Sequence, residues 1–185
     1  MAELKDYHFD LPENRIAQNP AEKRDNSRLM VIDRKTGALE HKFFRDVAGF
    51  LREGDVLVTN ESKVFPARLI GQKEDTGAPV ELLLLEHRGK GIWEAIMKPG
   101  RKGKKGAVLR FGGGRLKAEV LESLDEGCKL IEFCCGEDEN FFDVLGEIGK
   151  VPLPPYINEG EVSVDAKERY QTVYANPGQT GSAAA

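Results

Sequence analysis

Two stretches of this chain carry side chains suited to recognition chemistry. The first is VPLPPYINEGEVSVDAKERYQTVYANPGQTGSAAA, from Val151 to Ala185. Pro152, Pro154 and Pro155 fix φ and exclude helix, so PLPPY reads as an extended, pre-shaped segment. Asp165-Ala-Lys-Glu then opens a short predicted helix carrying Arg169, Tyr170, Gln171 and Tyr174. Rigid backbone leading into a helix rich in hydrogen-bonding groups is a way to display a site. The second stretch runs from Lys98 to Lys117. Lys98, Arg101, Lys102, Lys104, Lys105, Arg110, Arg115 and Lys117 place eight basic residues in twenty positions that contain no Asp or Glu. Against a net charge of −4, this run carries +8 and the rest of the chain −12. It reads either as a solvated loop or as a phosphate-contacting patch on an otherwise acidic protein.

Other chemistry-bearing patterns are absent. There is no G-x-G-x-x-G between a strand and a helix, no P-loop and no G-x-S-x-G. Gly112-Gly-Gly114 falls between two strand-like runs and reads as a hairpin turn. His8, His41 and His87 are far apart and have no cysteine near them, so no metal site is expected. Cys128, Cys134 and Cys135 fall on one predicted strand, where core packing is the favoured reading. An odd, clustered set of thiols, no secretory leader and no apolar run of ~20 residues point to a cytoplasmic protein without membrane contact.

The elements that must position these residues are legible in the hydrophobic pattern. Arg28–Asp33 and Ala38–Phe43 flank Arg34-Lys-Thr-Gly37 as a hairpin. Phe44, Val47, Ala48 and Leu51 recur at helical spacing, and Val56-Leu-Val58 reads as a short buried strand. Six strand-like runs follow, Ala67–Lys73, Val80–His87, Ile92–Lys98, Ala107–Phe111, Leu116–Ser123 and Cys128–Cys135, separated by glycine-bearing turns. They predict a meander closed into a small antiparallel six-stranded β-barrel. Asn140–Ile148 is helical again. The fold class expected is mixed α+β and α/β, with the barrel (63–148) inserted into an α/β domain. That domain would be formed by 1–62 and by a re-entry over 149–185.

Polar residues that folding alone does not require recur along this frame. Taken in order and at their separations, FDLPE-xx-IAQ-x-P-xxx-R-xx-SRL, GD-x-LV-x-N-x-SKV-x-PARL-x-G, KPGRK, PLPPYI and ERYQTVYA resemble the S-adenosylmethionine:tRNA ribosyltransferase-isomerase family over Tyr7 to Ala185. The resemblance implies an α/β domain with an inserted barrel and an enzyme of queuosine synthesis. Such enzymes move the ribosyl part of S-adenosylmethionine onto 7-aminomethyl-7-deazaguanine in tRNA, giving epoxyqueuosine and releasing adenine and methionine. S-adenosylmethionine is then the substrate, no metal is required, the partner is the precursor-bearing tRNA, and the complete protein is a monomer. Relatives continue with a segment like APTAGLHF and a further half-chain. Gly181-Ser182-Ala-Ala-Ala is therefore expected to interrupt an incomplete α/β domain, through truncation or completion by a second chain. In the basic loop, Gly103 and Lys105-Gly106 depart from the family pattern, and a looser conformation is expected there.

On that reading the protein has to hold a sulfonium cation, keep an amine neutral and assist a leaving purine. Asp10, Tyr156, Arg169 and Tyr170 are the candidates for the reacting centre, and Arg24, Arg28, Asn60, Arg68, Gln171 and Tyr174 for substrate binding. Lys98, Arg101, Lys102, Lys104 and Lys105 are the candidates for tRNA. Asp10 could pair with the amine or the sulfonium, or cap a helix ahead of Pro12-Glu13. The tyrosines offer π-faces to a cation or purine, or pack as ordinary amphipathic aromatics. The arginines suit phosphate or carboxylate, with surface ion pairs as the rival. Asn60 and Gln171 could read a base edge or the methionine moiety, or bond to backbone.

Overall fold

The structure is a computed structural model and describes residues 3–124, 127–154, 156–158, 160, 169–176 and 181. The chain forms two compact units, Met1–Thr59 with Pro154–Arg169, and Asn60–Leu153 with Tyr170–Ala185.

The second unit is organised by the alternation of its strands. Six strands, β3 (Arg68–Lys73), β4 (Pro79–Gly89), β5 (Ile92–Lys98), β6 (Val108–Phe111), β7 (Leu116–Ser123) and β8 (Cys128–Cys135), close into an antiparallel barrel. Period-two alternation sends Leu69, Val80, Leu82, Leu84, Trp93, Ala95, Met97, Leu109, Phe111, Leu116, Ala118, Val120, Ile131 and Phe133 inward as one core. The order around the barrel is β3-β4-β5-β8-β7-β6, so the expected simple meander is corrected. Two three-stranded meanders instead meet along the β5–β8 and β3–β6 seams. The β3–β6 seam is short, and Gly71 pairs with Phe111 there because a Cβ would collide with the Arg110 carbonyl. Helix α1 (Phe141–Ile148) follows β8 and buries Val144 and Leu145 against the core, its N-terminus capped by Asn140 Oδ1 accepting from the Phe142 amide at 2.9 Å.

Two residues of β8 depart from expectation. Lys129 faces inward and is 8% exposed, its ammonium donating to Ser123 Oγ at 2.7 Å. Cys134 is exposed and does not pack in the core, because the inward positions of β8 are Lys129, Ile131 and Phe133. Cys135 packs at the core's edge, with its thiol toward the Glu139 carbonyl.

The first unit contains β1 (Arg28–Ile32) and β2 (Leu39–Phe43), paired as the expected hairpin. Asp33 Oδ1 accepts the Lys35 and Thr36 amides in its turn, and these bonds hold the Asp33 carboxyl below the usual carboxylate range. Around it lie 3-10 turns at Leu4–Tyr7, Glu13–Arg15, Arg24–Asn26 and Phe44–Phe50. The α-helix expected over 44–51 is therefore a 3-10 segment. Its apolar stripe has no buried surface to meet, and the tighter winding is the form short, weakly packed segments take. Val56-Leu-Val58 forms no strand and is largely exposed, since a three-residue run needs a partner ladder and has none among the described residues. No described residue of this unit is buried. Residues 165–168 of the helix expected from Asp165 lie outside the described residues, and its remainder is corrected: Arg169 is helical, but Tyr170, Gln171 and Tyr174 lie in bends and turns, where the Gln171 side chain bonds to the Val64 backbone. No helix among the described residues is long and apolar enough to cross a membrane.

Candidate functional site

In the first unit, the predicted residues Arg24 and Arg169 are joined by hydrogen bonds, and Tyr156 belongs to a second bonded group around Gln18. Arg24 Nη2 donates to the Arg169 carbonyl at 2.6 Å, and the Arg169 guanidinium donates back to the Ala21 carbonyl. Ser27 Oγ donates to the Arg24 carbonyl at 2.8 Å and fixes the turn from which Arg24 projects. Tyr156 is exposed, and its carbonyl accepts from Gln18 Nε2 at 3.1 Å. Gln18 Oε1 accepts the Asn158 amide at 2.7 Å, so one half-buried side chain holds the segment after PLPP from both sides. Gln18 was missed as a functional candidate. Its only signal was an amide inside the IAQ-x-P motif.

Arg28 lies elsewhere in the unit. It stands at an open hollow of about 1260 Å³ formed by the β1–β2 ribbon and the Phe44–Phe50 turn, lined also by Met30, His41, Phe43 and Phe50. No ion pair engages its guanidinium among the described residues. Arg45 sits 4.5 Å over the Phe43 ring. Lys42 and Asp46 also line it, so the hollow combines an apolar floor with charges of both signs. Asp10 is exposed and makes no bond among the described residues. The capping role considered for it is corrected, because Pro12 occupies the cap position before Glu13–Arg15.

In the second unit, Asn60 and Gln171 join two segments far apart in sequence. Gln171 Oε1 accepts the Val64 amide at 2.7 Å while its Nε2 donates to the Val64 carbonyl at 3.1 Å. The side-chain amide thus satisfies both backbone groups of a buried residue. Thr172 Oγ1 donates to the Asn60 carbonyl at 2.8 Å, and Asn60 Oδ1 accepts the Ser62 amide at 2.9 Å. The backbone-bonding alternative describes both amides. Tyr170 is half-buried and Tyr174 exposed. The Arg68 guanidinium is committed in a bidentate pair with Glu81, Nε to Oε1 at 2.9 Å and Nη2 to Oε2 at 3.1 Å. The surface-ion-pair alternative describes it.

The basic run divides into two kinds of residue. Arg110 and Lys117 share Glu74, whose carboxyl is held below the usual range chiefly by the Arg110 hydrogen bond. Arg115 is tied to Glu147 and Glu139, and those bonds raise it further. Lys98, Arg101, Lys104 and Lys105 are exposed and make no ion pair among the described residues. Lys102 Nζ donates to the Pro79 carbonyl at 3.1 Å. The expected looseness of this loop is corrected. Gly103 is buried, and a Cβ there would meet the Met97 sulfur and lie 3.3 Å from Lys129 Cε. The Gly106 amide donates to the Val120 carbonyl at 2.8 Å. Among the described residues no group of three or more His, Cys, Asp or Glu side chains is placed to hold a metal ion.

A family profile described as "Queuosine biosynthesis protein" matches residues 4–185. The chain is 50% identical over 182 residues to the S-adenosylmethionine:tRNA ribosyltransferase-isomerases of Acetivibrio thermocellus and of Desulfitobacterium hafniense. In each case 98% of this chain and 51% of the relative are covered, so the chain spans about half the length of the curated relatives it matches. A crystal structure of S-adenosylmethionine tRNA ribosyltransferase from Thermotoga maritima is similar at 44% identity and a TM-score of 0.34, over 68% of this chain and 43% of that one. The chain belongs to the queuosine biosynthesis protein family of S-adenosylmethionine:tRNA ribosyltransferase-isomerases.

Proposed function

We propose that this chain is part of an enzyme that transfers and isomerises the ribosyl moiety of S-adenosylmethionine onto 7-aminomethyl-7-deazaguanine in tRNA. The observation that carries the reading is 50% identity over 98% of the chain to relatives whose names state that activity. The products are epoxyqueuosine-tRNA, adenine and methionine. A carbon–nitrogen bond forms from the ribosyl skeleton to the base's amine, while the carbon–sulfur bond to methionine and the glycosidic bond to adenine break. The skeleton gives up one carbon-bound proton and gains one internal bond in the isomerisation. Of the two protons released, one from that carbon and one from the amine, adenine takes one and the other leaves, offsetting the sulfonium charge. The sulfonium acidifies the neighbouring 5′ carbon, so the protein must favour a cation while leaving an attacking amine uncharged.

The candidate roles divide by what each side chain already holds. Tyr156 and Tyr174 keep their rings exposed and available to a cation or purine face. Arg24 and Arg169 bind each other's neighbourhoods, and their reading is to fix the 21–24 turn against Arg169, while Gln18 holds the Tyr156 segment. Asp10 and Arg28 keep their charges available for an amine and for a carboxylate or phosphate. The proposed organisation has 1–62 and 149–185 contributing to the catalytic domain and the barrel inserted between them. A cytoplasmic, membrane-free setting follows from a tRNA substrate. A second reading, a tRNA-binding module without catalysis, is favoured by Lys98, Arg101, Lys104 and Lys105, which are exposed and make no ion pair among the described residues.

The test is a chimera carrying this chain followed by the half of the Acetivibrio thermocellus relative that it does not span. Given S-adenosylmethionine and precursor-bearing tRNA, it is expected to release adenine. A chimera that folds cooperatively and binds the tRNA yet releases none refutes the enzymatic reading.

A further inference from the structure

Strand directions place the loops of the barrel at two ends. One end holds the β4–β5 turn, Gly112–Gly114, helix α1, and the Arg68–Lys150 bridge where chain enters and leaves the barrel. The other holds the β3–β4 turn, the loop from Lys98 to Ala107, and the strand ends at Ser123 and Cys128. The eight cations of the basic run do not act together across these ends. Arg115 lies at the first, tied to Glu139 and Glu147. Lys98, Arg101, Lys104 and Lys105 lie at the second, exposed and without a carboxylate partner among the described residues.

We propose that this second end is a preformed docking surface for the sugar-phosphate backbone of a folded RNA, with Lys98, Arg101, Lys104 and Lys105 as its phosphate contacts. The inference rests on the tRNA-modifying reading above and adds which surface the RNA meets.

Three observations favour it over a merely wet loop. The loop is braced along its length: Lys102 N to Pro99 O at 3.0 Å, Gly103 N to Gly100 O at 3.1 Å, Ala107 N to Lys104 O at 2.9 Å, and a reciprocal pair between 106–107 and Val120. Gly103 is folded down onto Met97 and Lys129. Such a frame removes the ordering of the loop backbone from the cost of binding. Arg110, Arg115 and Lys117 have carboxylates within reach and Lys102 bonds to the Pro79 carbonyl, so the four cations with no such partner among the described residues form a discrete set. Finally, KPGRKGKKG offers no apolar side chain beyond Pro99 to insert into a lipid interface, which disfavours a membrane as the partner.

The experiment is binding of an unmodified tRNA transcript to this chain, without S-adenosylmethionine, over a range of salt concentrations. Four phosphate contacts give a log–log salt slope near −3, at about 0.7 to 0.9 per contact. Lys104→Ala with Lys105→Ala is expected to remove about 1.6 of that slope, which is about 40-fold in affinity at 0.1 M salt against a 1 M reference. Both side chains are exposed, so thermal melting should not move. The control, Arg115→Gln with Lys117→Gln, makes the same charge change on tied residues and is expected to leave the slope unchanged. An unaltered slope in the first variant overturns the proposal. So does an equal fall in both variants, which would mean net charge alone, or equal lysine-dependent binding to anionic lipid vesicles, which would mean a membrane face. Adenine release by the chimera is a separate measurement, so failure of either reading leaves the other testable.

Discussion

Gln171→Glu tests whether a single amide side chain fastens the segment after Arg169 to the entry of the barrel. In the native chain the Gln171 amide both accepts from the Val64 N–H at 2.7 Å and donates to the Val64 carbonyl at 3.1 Å. Val64 is 6% exposed, so water does not readily replace either bond. A glutamate carboxylate keeps the acceptor and loses the donor, and it sets a negative oxygen against the Val64 carbonyl. One lost bond plus an unsatisfied buried acceptor costs about 2 kcal/mol. That predicts about 30-fold faster local opening at neutral pH, since about 1.4 kcal/mol is a factor of ten.

The assay is hydrogen exchange at the Val64 amide, taken as a ratio to the native chain at each pH so that intrinsic exchange cancels. A protonated glutamic acid again offers one donor and one acceptor, as the amide does. The carboxylate is disfavoured by its carbonyl neighbour, which raises the pKa of the introduced group. Protection should therefore return as pH falls through a value above the ordinary ~4.3 of glutamate. A ratio near one at neutral pH, or a deficit that persists in acid, refutes the claim that this amide holds the two segments together.

Three further perturbations follow from the barrel. Asn140→Ala removes the side-chain N-cap of α1 and should cost about 1 kcal/mol, seen as a lower thermal midpoint, while Asn140→Asp keeps the acceptor and most of the stability. Gly103→Ala forces the Met97 sulfur aside under the basic loop and should lower the urea midpoint by about 1 kcal/mol at unchanged m-value, the thioether's flexibility keeping the cost small. Glu74 has a lowered folded pKa, so its contribution is present above the ordinary glutamate value and is lost as pH falls through the lowered one. Glu74→Gln should flatten that acid limb in urea midpoints measured from neutral to strongly acid pH. An unchanged limb would assign the acid sensitivity to other groups.

How much of this was legible in the sequence depends on whether a pattern is local. The barrel strands were readable because one face of each is buried: LKAEVLES alternates Leu116, Ala118 and Val120 inward with Lys117 and Glu119 outward. Their order was not, because alternation marks a buried face without naming the neighbour that pairs with the edge. Helical spacing from Phe44 to Leu51 could not distinguish an α-helix from a 3-10 segment, since the difference lies in what the stripe packs against. Among site residues, polar types inside motifs were visible, but their partners were not. Gln18 meets Tyr156 and Gln171 meets Val64 across more than a hundred positions. The basic run illustrates the same limit. A linear count gives +8, and only the fold brings Glu74, Glu139 and Glu147 to three of those charges.

The two units differ in what can hold them folded, and this has a measurable consequence. The barrel unit has a continuous core from Leu69 to Leu145 with rings of Trp93, Phe133 and Phe141 in contact. In the other unit the β1–β2 ribbon exposes Met30, Ile32 and Leu39 on one face, and no described residue is buried. A two-stranded ribbon without a covered face is marginal in water, so its amides have little beyond five register pairs to protect them. Native-state hydrogen exchange should therefore show Leu82, Leu109 and Val120 opening only with global unfolding, while Met30 and Ile32 exchange by local opening at a far smaller free energy. In the chimera described above, added polypeptide that covers the ribbon should slow Met30 and Ile32 and leave the three barrel amides unchanged. If the ribbon is already as protected as the barrel in this chain, burial is a poor guide to its stability. If the chimera slows the barrel amides instead, the added half stabilises a different surface from the one this reasoning selects.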